Sequence, residues 1–301
     1  MFYRLGNYKT RTTYYLFALF LLIYFCLIQQ NVPVAEITSK LTGYGQFLLI
    51  GLIAAIVANS TGAGGGIVFL PAFTLLGLSP VEALATSFAI QCFGMTSGAL
   101  AWLQRGRSGV KEKPFQWGIF QTTLFLTVIP GLIGLLAVQW LEIPAPIAVK
   151  QLFALLSFVL AFAIIYRVKT KQFDEGERTH SLTRTEKNIL VIAALLSGAL
   201  TAWLSIGIGE IIAVTLILMG FSTFIAVAAA VCISSLSVLL GVQFHIWTSN
   251  AINLDVLLFA APGALIGGAI ASRIATLVGI TRLKVFMSVW IIMSAIVYLI
   301  V

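Results

Sequence analysis

Residues 58–71 read ANSTGAGGGIVFLP, and this stretch places four glycines between Gly62 and Gly66 inside a long apolar run. Glycine-rich turns usually lie in water, because their backbone groups need hydrogen-bond partners. At membrane depth, non-helical backbone is tolerated only where it is buried in protein or lines a water-filled cavity. The stretch therefore predicts a broken helix inside a membrane protein, with its break facing the protein interior.

The composition of the 301-residue chain points to the same class of protein. Hydrophobic residues make up 60% of the sequence and charged residues 9%, and the mean hydropathy is +1.04. Such values exclude an ordinary soluble domain. Repeated apolar runs of about 20 residues, each enough to cross about 30 Å of hydrocarbon, predict an all-α polytopic membrane protein whose partner is the lipid bilayer.

The basic residues predict the orientation of the chain. The net charge is +8, but these residues lie in short loops between apolar runs, so no nucleic-acid partner is predicted. Sixteen of the 18 Lys and Arg residues fall in the N-terminal tail, the loops 105–113 and 167–187, and the turn 273–284. The positive-inside rule makes these segments cytoplasmic. We therefore predict a cytoplasmic N-terminus and an external C-terminus.

The apolar runs predict four parts of the chain. Residues 1–42 hold an extra N-terminal helix, Thr13–Ile28, and an external linker; residues 43–168 form a first repeat; residues 169–187 form a cytoplasmic linker; and residues 188–301 form a second repeat. The three cysteines form no CxxC pair, so no disulfide framework is indicated. No metal and no cofactor are predicted.

A second break predicts the internal repeat. The apolar region 188–220 is interrupted at 205–210 by the sequence SIGIGE. The predicted register pairs six sets of positions: Ser60, Gly62 and Gly64 with Ser205, Gly207 and Gly209; Gly77 with Gly220 after a deletion of two residues; Ser79 with Ser222; Gly98 with Gly241; Pro130-Gly131 with Pro262-Gly263; and Lys150 with Lys284. Shared spacing over several landmarks indicates a repeat.

The two copies are predicted to be inverted, because the first enters its break from outside and the second enters from the cytoplasm. Each broken region then returns to its starting side, either as a re-entrant hairpin or as two short spans. Inverted repeats with discontinuous helices are typical of secondary transporters, whose substrate site lies near the bilayer midplane.

Helix starts at the breaks predict an anion site, because they present free N–H groups and a positive dipole end. The alternative is that the glycines are close-packing contacts, as in GxxxG helix pairs. The predicted substrate-binding residues are Asn59, Ser60, Thr61, Gly62, Gly64, Gly65, Gly66, Gln91, Ser205, Gly207, Gly209 and Gln243. Thr86, Ser87, Ser234 and Ser235 extend this set on the helices that follow the breaks. The polar side chains have an alternative role as caps or partners of their own backbone.

Glu210 is an acidic residue inside the second broken region, where the predicted register pairs it with Gly65. Intramembrane acids are costly and usually functional. One hypothesis is that Glu210 couples proton movement to anion transport. The alternative is a helix-start carboxylate satisfied by its own N–H groups. An acid at this place also repels a dianion unless it is protonated.

Four segments together resemble the sulfite exporter TauE/SafE-type family of transporters: STGAGGGIVFLPAF, GLSPVEALATS, SIGIGE and PGALIGGAIASRI. The resemblance covers nearly all of residues 43–301. The resemblance implies a carrier in the bacterial inner membrane for a small anion such as sulfite, sulfoacetate, thiosulfate or a related organic anion. Together with the predicted inverted repeat, it predicts transport by alternating access and not an enzyme.

An anion channel is the nearest alternative function, because it shares the half-helix anion site. An intramembrane hydrolase with a serine–histidine dyad of Ser60 and His245 is less favoured. The repeat gives Ser60 a counterpart in Ser205 and offers no reason for a dyad.

Overall fold

The computed structural model describes residues 34–107, 117–170 and 181–300, and within them the chain is helical and contains no strand. The helices are α1 (Val34–Tyr44), α2 (Gln46–Thr61), α3 (Gly66–Leu75), α4 (Pro80–Arg107), α5 (Trp117–Trp140), α6 (Val149–Thr170), α7 (Arg184–Leu204), α8 (Ile208–Leu218), α9 (Thr223–Phe244), α10 (Leu254–Val278) and α11 (Ile280–Ile300). A π-helix, His245–Ser249, continues α9. The predicted first span, Thr13–Ile28, lies outside the described residues.

The helix lengths confirm an all-α polytopic membrane protein. Among the described residues, the six helices α4, α5, α6, α7, α9 and α10 are long and apolar enough to cross a membrane. Helices α2, α3 and α8 are shorter and apolar. At 1.5 Å per residue, α3 and α8 are each only about 15 Å long, which is half of a span.

Both predicted breaks are present in the described part of the chain. Residues 62–65 separate α2 from α3, and residues 205–207 separate α7 from α8. The second break is shorter than the predicted 205–210. The reason is that Glu210 accepts a hydrogen bond from the Gly207 N–H, which caps the start of α8 and lets the helix begin three residues after Ser205.

The two first arms end in the same way. Gly62 has a φ of 81°, and its N–H donates to the Ala58 carbonyl oxygen at 2.9 Å. Ser205 has a φ of 56°, and its N–H donates to the Thr201 carbonyl oxygen at 2.8 Å. A left-handed residue with this bond terminates an α-helix. Glycine adopts that conformation without steric cost, whereas Ser205 adopts it as a non-glycine residue.

Equivalent backbone features recur 143 residues apart. Gly62 and Ser205 are the left-handed helix ends just described. Gly77 and Gly220 follow the second arms with φ angles of 84° and 86°, and they too are 143 residues apart. The predicted register, with its deletion of two residues, was therefore wrong at the breaks. The predicted register aligned identical residue types, Gly62 with Gly207. The backbone conformation instead makes Ser205 the counterpart of Gly62, because each residue ends its helix in the left-handed conformation.

The corrected register changes which residues are equivalent at the breaks. At this 143-residue spacing, Gly64 lies opposite Gly207, and Glu210 lies opposite Ile67 and not opposite Gly65, its predicted partner. The two glycines differ in their place relative to the short helices, because Gly207 directly precedes α8 whereas Gly65 separates Gly64 from α3. Glu210 is a side chain that only the second break contributes.

Helices from the two halves of the chain pack against each other. Helix α2 lies along α10, and α7 lies along α5. Helix α4 contacts both α9 and α10, and α6 contacts α11. The spans α4 and α9 are the most buried of the candidate spans. Each broken first arm is therefore held by an unbroken helix, with α4 and α9 at the centre.

Glycines set the close approach of these helix pairs. A Cβ atom added at Gly263 of α10 would overlap the Leu48 carbonyl oxygen of α2, and one at Gly134 of α5 would overlap the Leu195 carbonyl oxygen of α7. Close packing through small residues, expected as one alternative for the break glycines, thus operates between α2 and α10 and between α5 and α7.

Helices extend into both predicted linkers. Helix α7 begins at Arg184 because Thr183 and Glu186 form a capping box, in which the Glu186 carboxylate accepts from the Thr183 N–H at 2.9 Å. Helix α1 occupies part of the predicted external linker. Its Lys40 forms an ion pair of 2.6 Å with Asp255 at the start of α10, which ties α1 to the helix bundle.

Substituting Leu for Gly134 should lower the free energy of unfolding by about 1–3 kcal/mol, because overpacking forces α5 away from α7. The melting temperature of the purified protein in detergent measures this effect. The matched control is Gly118→Leu in the first turn of α5, where a Cβ atom meets nothing within 4 Å. Equal melting temperatures for the two variants would contradict the close packing described above.

Candidate functional site at the two helix breaks

The two breaks lie against each other in the protein interior. Residues 57–67 and 204–210 are buried throughout. A Cβ atom added at Gly66 would lie 2.8 Å from the Ser205 carbonyl oxygen, and one at Gly209 would lie 2.6 Å from the Gly62 carbonyl oxygen. Glycine is required at these places because the backbone of the other break occupies the space of a side chain.

The Glu210 carboxylate joins the two breaks. Its Oε1 accepts a hydrogen bond from the Gly64 N–H at 2.5 Å, and its Oε2 accepts one from the Gly207 N–H at 2.7 Å. Gly64 and Gly207 are 143 residues apart, the same spacing that separates Gly62 from Ser205. One fully buried carboxylate therefore spans a matched pair of backbone donors, one beside the start of each short helix, where the helix dipoles also favour negative charge.

Gln91 of α4 forms a second link between the breaks. Its Oε1 accepts from the Gly65 N–H at 2.8 Å. Its Nε2 donates to the Ser205 hydroxyl at 2.7 Å, to the Ser205 carbonyl at 3.2 Å and to the Ser87 hydroxyl at 3.0 Å. The Ser87 and Ser205 hydroxyls are themselves 3.0 Å apart. A single amide thus ties a donor of the first break to acceptors of the second.

Thr201 is the site residue that sequence reasoning missed. Its hydroxyl accepts from the Ile208 N–H at 2.9 Å and donates to the Ser197 carbonyl at 2.8 Å. The sequence could have indicated Thr201, because it lies one helical turn before the break at Ser205 and so on the same face of the helix. Side chains thus accept from the N–H groups of four break residues, Ala63, Gly64, Gly65 and Gly207, and from that of Ile208 at the start of α8.

Several predicted residues have other partners. Three polar side chains before the first break donate to helix carbonyls: Asn59 to Ala55 and Gly94, Ser60 to Ala271, and Thr61 to Val57. These contacts agree with the backbone-bonding alternative. Gln243 is exposed near the end of α9, where its Oε1 accepts from Trp247 at 3.1 Å. Gln243 therefore lies apart from the cluster around Glu210 and Gln91.

Two buried polar atoms beside the breaks have no hydrogen-bond partner: Asn59 Oδ1 and Ser234 Oγ. Ser234 is 2% exposed, and a Cβ atom added at Gly209 would overlap its hydroxyl. The Ser234 hydroxyl therefore lies against the first turn of α8. Ser234 follows Gln91 by 143 residues, so the second half has a short hydroxyl where the first has a long amide.

The described residues bring together no hydrolase dyad. Ser60 Oγ donates to the Ala271 carbonyl oxygen at 3.2 Å. His245 contacts Ser249 at 3.2 Å and Gln139 at 3.5 Å. In the same part of the chain, no group of three His, Cys, Asp or Glu side chains is placed to hold a metal ion.

Replacing Gln91 by Leu should lower the free energy of unfolding by about 1–3 kcal/mol, because the buried Gly65 N–H loses its acceptor. Chemical or thermal unfolding in detergent measures the change. Gln243→Leu is the matched control, since an exposed substitution is expected to change stability by less than about 0.5 kcal/mol. A loss of equal size in both variants would show that the amide link between the breaks contributes nothing.

Most of the residues in this fold are similar to a known protein family. Residues 47–298, which include both breaks, match the family model described as Sulfite exporter TauE/SafE. A stretch of 90 residues is 30% identical to a Sinorhizobium sp protein named "Probable membrane transporter protein ORF9". That similarity covers 28% of this chain and 34% of the relative, so the chain matches about a third of the length of that protein.

Proposed function

The chain belongs to the sulfite exporter TauE/SafE family and is a multi-pass membrane transporter, and from this premise we propose that it carries a small anion across the bacterial inner membrane by alternating access. The family name and the relative's name both describe a transporter and not an enzyme.

The bridging of the two breaks by Glu210 is the observation that carries this proposal. The Gly64 and Gly207 N–H groups hold a carboxylate in the protein interior without help from a lysine or arginine side chain. Backbone donors beside helix starts are a known means of binding anions. A site that holds an internal carboxylate in this way has the donors needed for a transported oxyanion.

The proposed alternating access rests on an inverted repeat. The 143-residue spacing of equivalent features and the exchange of partners between halves, α2 with α10 and α7 with α5, support two similar units. The distribution of basic residues supports opposite orientations, with the N-terminus in the cytoplasm and the C-terminus outside. Movement of one unit against the other would then expose the breaks to each side in turn.

The proposed substrates are sulfite, sulfoacetate, thiosulfate or a related organic anion. The family description supports this class. Each of these anions carries at least two oxygens on one central atom, as does the carboxylate of Glu210. Two such oxygens match the paired donors of Gly64 and Gly207.

We further propose that protons are the coupling ion and that Glu210 carries them. Among the described residues, no cationic side chain forms an ion pair with Glu210. Helix α9 carries no charged residue, and the charged residues of α6 and α7 lie at the helix ends: Lys150, Arg167, Lys169, Arg184, Glu186 and Lys187. A carboxylate that leaves its backbone donors in this environment is stabilised by taking up a proton.

Purified protein in liposomes should show saturable uptake and counterflow of at least one anion from a panel of sulfite, thiosulfate, sulfoacetate and lactate. Saturation follows from a single site that must reopen after each cycle. Failure to move any of these anions would contradict the proposed substrate class. Currents that exceed carrier turnover and do not saturate would instead identify an anion channel.

Glu210→Gln should abolish the response of anion uptake to an imposed pH gradient while anion counterflow continues, because the amide cannot exchange a proton. The measurement compares uptake with and without the gradient in the same liposomes. Glu142→Gln, an exposed acid in the turn after α5, is the control and should keep the wild-type response. An unchanged gradient response in Glu210→Gln would exclude Glu210 as the coupling residue.

A further inference from the structure

We infer that the Glu210 carboxylate is a built-in substitute for the transported anion, which occupies the Gly64 and Gly207 N–H groups in the closed protein and leaves them when the anion binds. This inference rests on the proposed function of anion transport. It assigns Glu210 a role in binding that is separate from carrying a proton.

The hydrogen-bond partners of the N–H groups at the breaks support this role. The Gly64 and Gly207 N–H groups bind Glu210, the Gly65 N–H binds Gln91, and the Ile208 N–H binds Thr201. These four N–H groups at the breaks, including the pair from Gly64 and Gly207, are therefore already in use. A transported anion can reach the matched pair only by replacing the carboxylate.

The position of the carboxylate is that of a two-oxygen ligand shared by both halves. Its oxygens bind equivalent amides, so neither half alone holds it. Glu210 is fully buried and belongs to the second half, yet it reaches 146 residues back along the chain to Gly64. Among the described residues, Glu210 is the only acidic side chain that links the two breaks, and departure of its carboxylate would break this link.

The Ser234 hydroxyl points to a ligand independently of the helix starts. It is buried against Gly209 and the neighbouring Gly62 carbonyl, and it has no hydrogen-bond partner. An unpaired buried hydroxyl costs free energy unless it gains a partner in another state. The Ser234 hydroxyl lies beside the first turn of α8. It can donate a hydrogen bond to an oxyanion that carries more oxygens than a carboxylate does.

A structural role for Glu210 and a competitive role predict opposite changes in the affinity for the anion. If Glu210 only braces the breaks, removing its side chain disorganises the donors and weakens anion binding. If Glu210 competes with the anion, removing it frees the donors and strengthens binding. The sign of the change in affinity therefore separates the two roles.

The test uses the full-length protein with Glu210→Gly, and it measures sulfite binding by titration calorimetry in detergent. The expected result is a dissociation constant at least about tenfold lower than for the wild type, since a state occupied by the carboxylate for nine-tenths of the time lowers apparent affinity by that factor. Glu142→Gly is the matched control and should bind as the wild type does. An unchanged or higher dissociation constant in Glu210→Gly would overturn the inference.

A second measurement covers the case in which Glu210→Gly folds poorly. Sodium formate should raise the melting temperature of this variant, because formate supplies the missing carboxylate and a ligand stabilises the state that binds it. Formate should leave the wild type and Glu142→Gly unchanged relative to sodium chloride. Equal responses of all three proteins would overturn the inference.

The two measurements distinguish this inference from the proposed function. Lack of transport of the whole anion panel by the wild type would contradict the proposed function. Formate stabilisation of Glu210→Gly would still support exchange at the carboxylate position. If the wild type transports an anion but Glu210→Gly shows neither tighter sulfite binding nor stabilisation by formate, the inference is overturned and the proposed function is not.

Discussion

Backbone N–H groups at a helix break inside a membrane need acceptors, and the structure of this protein depends on how they are supplied. No water is available in the hydrocarbon region to satisfy them. In the described chain, Glu210, Gln91 and Thr201 provide these acceptors. The break is therefore stable only where polar side chains are delivered to it, and both breaks lie buried in the protein interior.

The same requirement joins the two halves of the fold. Glu210 belongs to the second half and satisfies a donor of the first, while Gln91 belongs to the first and binds Ser205 of the second. The contacts that stabilise the breaks are thus the contacts that cross between the halves. In the proposed alternating access, opening the site exchanges these contacts for others, and the proposed anion supplies the replacement oxygens.

An acid at an anion site looked unfavourable from the sequence, because two negative charges repel each other. The geometry removes this difficulty, since Glu210 is not beside the paired donors but bound to them. The corrected register explains why only one half carries the acid. A single carboxylate with two oxygens satisfies both equivalent amides, so a second acid at Ile67 would have no matched donors left.

The sequence by itself determined the helical membrane class, the positions of both breaks and the glycines within them, because hydropathy and helix breaking are local properties of the chain. It also indicated Gln91, Ser205 and Glu210, since polar residues in apolar runs are few. Only the tertiary structure decided which N–H group each side chain satisfies, that Thr201 belongs to the cluster and that Gln243 lies apart. It also decided the register, with Ser205 in the role of Gly62. These features depend on backbone conformation and, for Glu210 with Gly64 and Gln91 with Ser205, on contacts between residues more than 100 positions apart, which no local sequence pattern encodes.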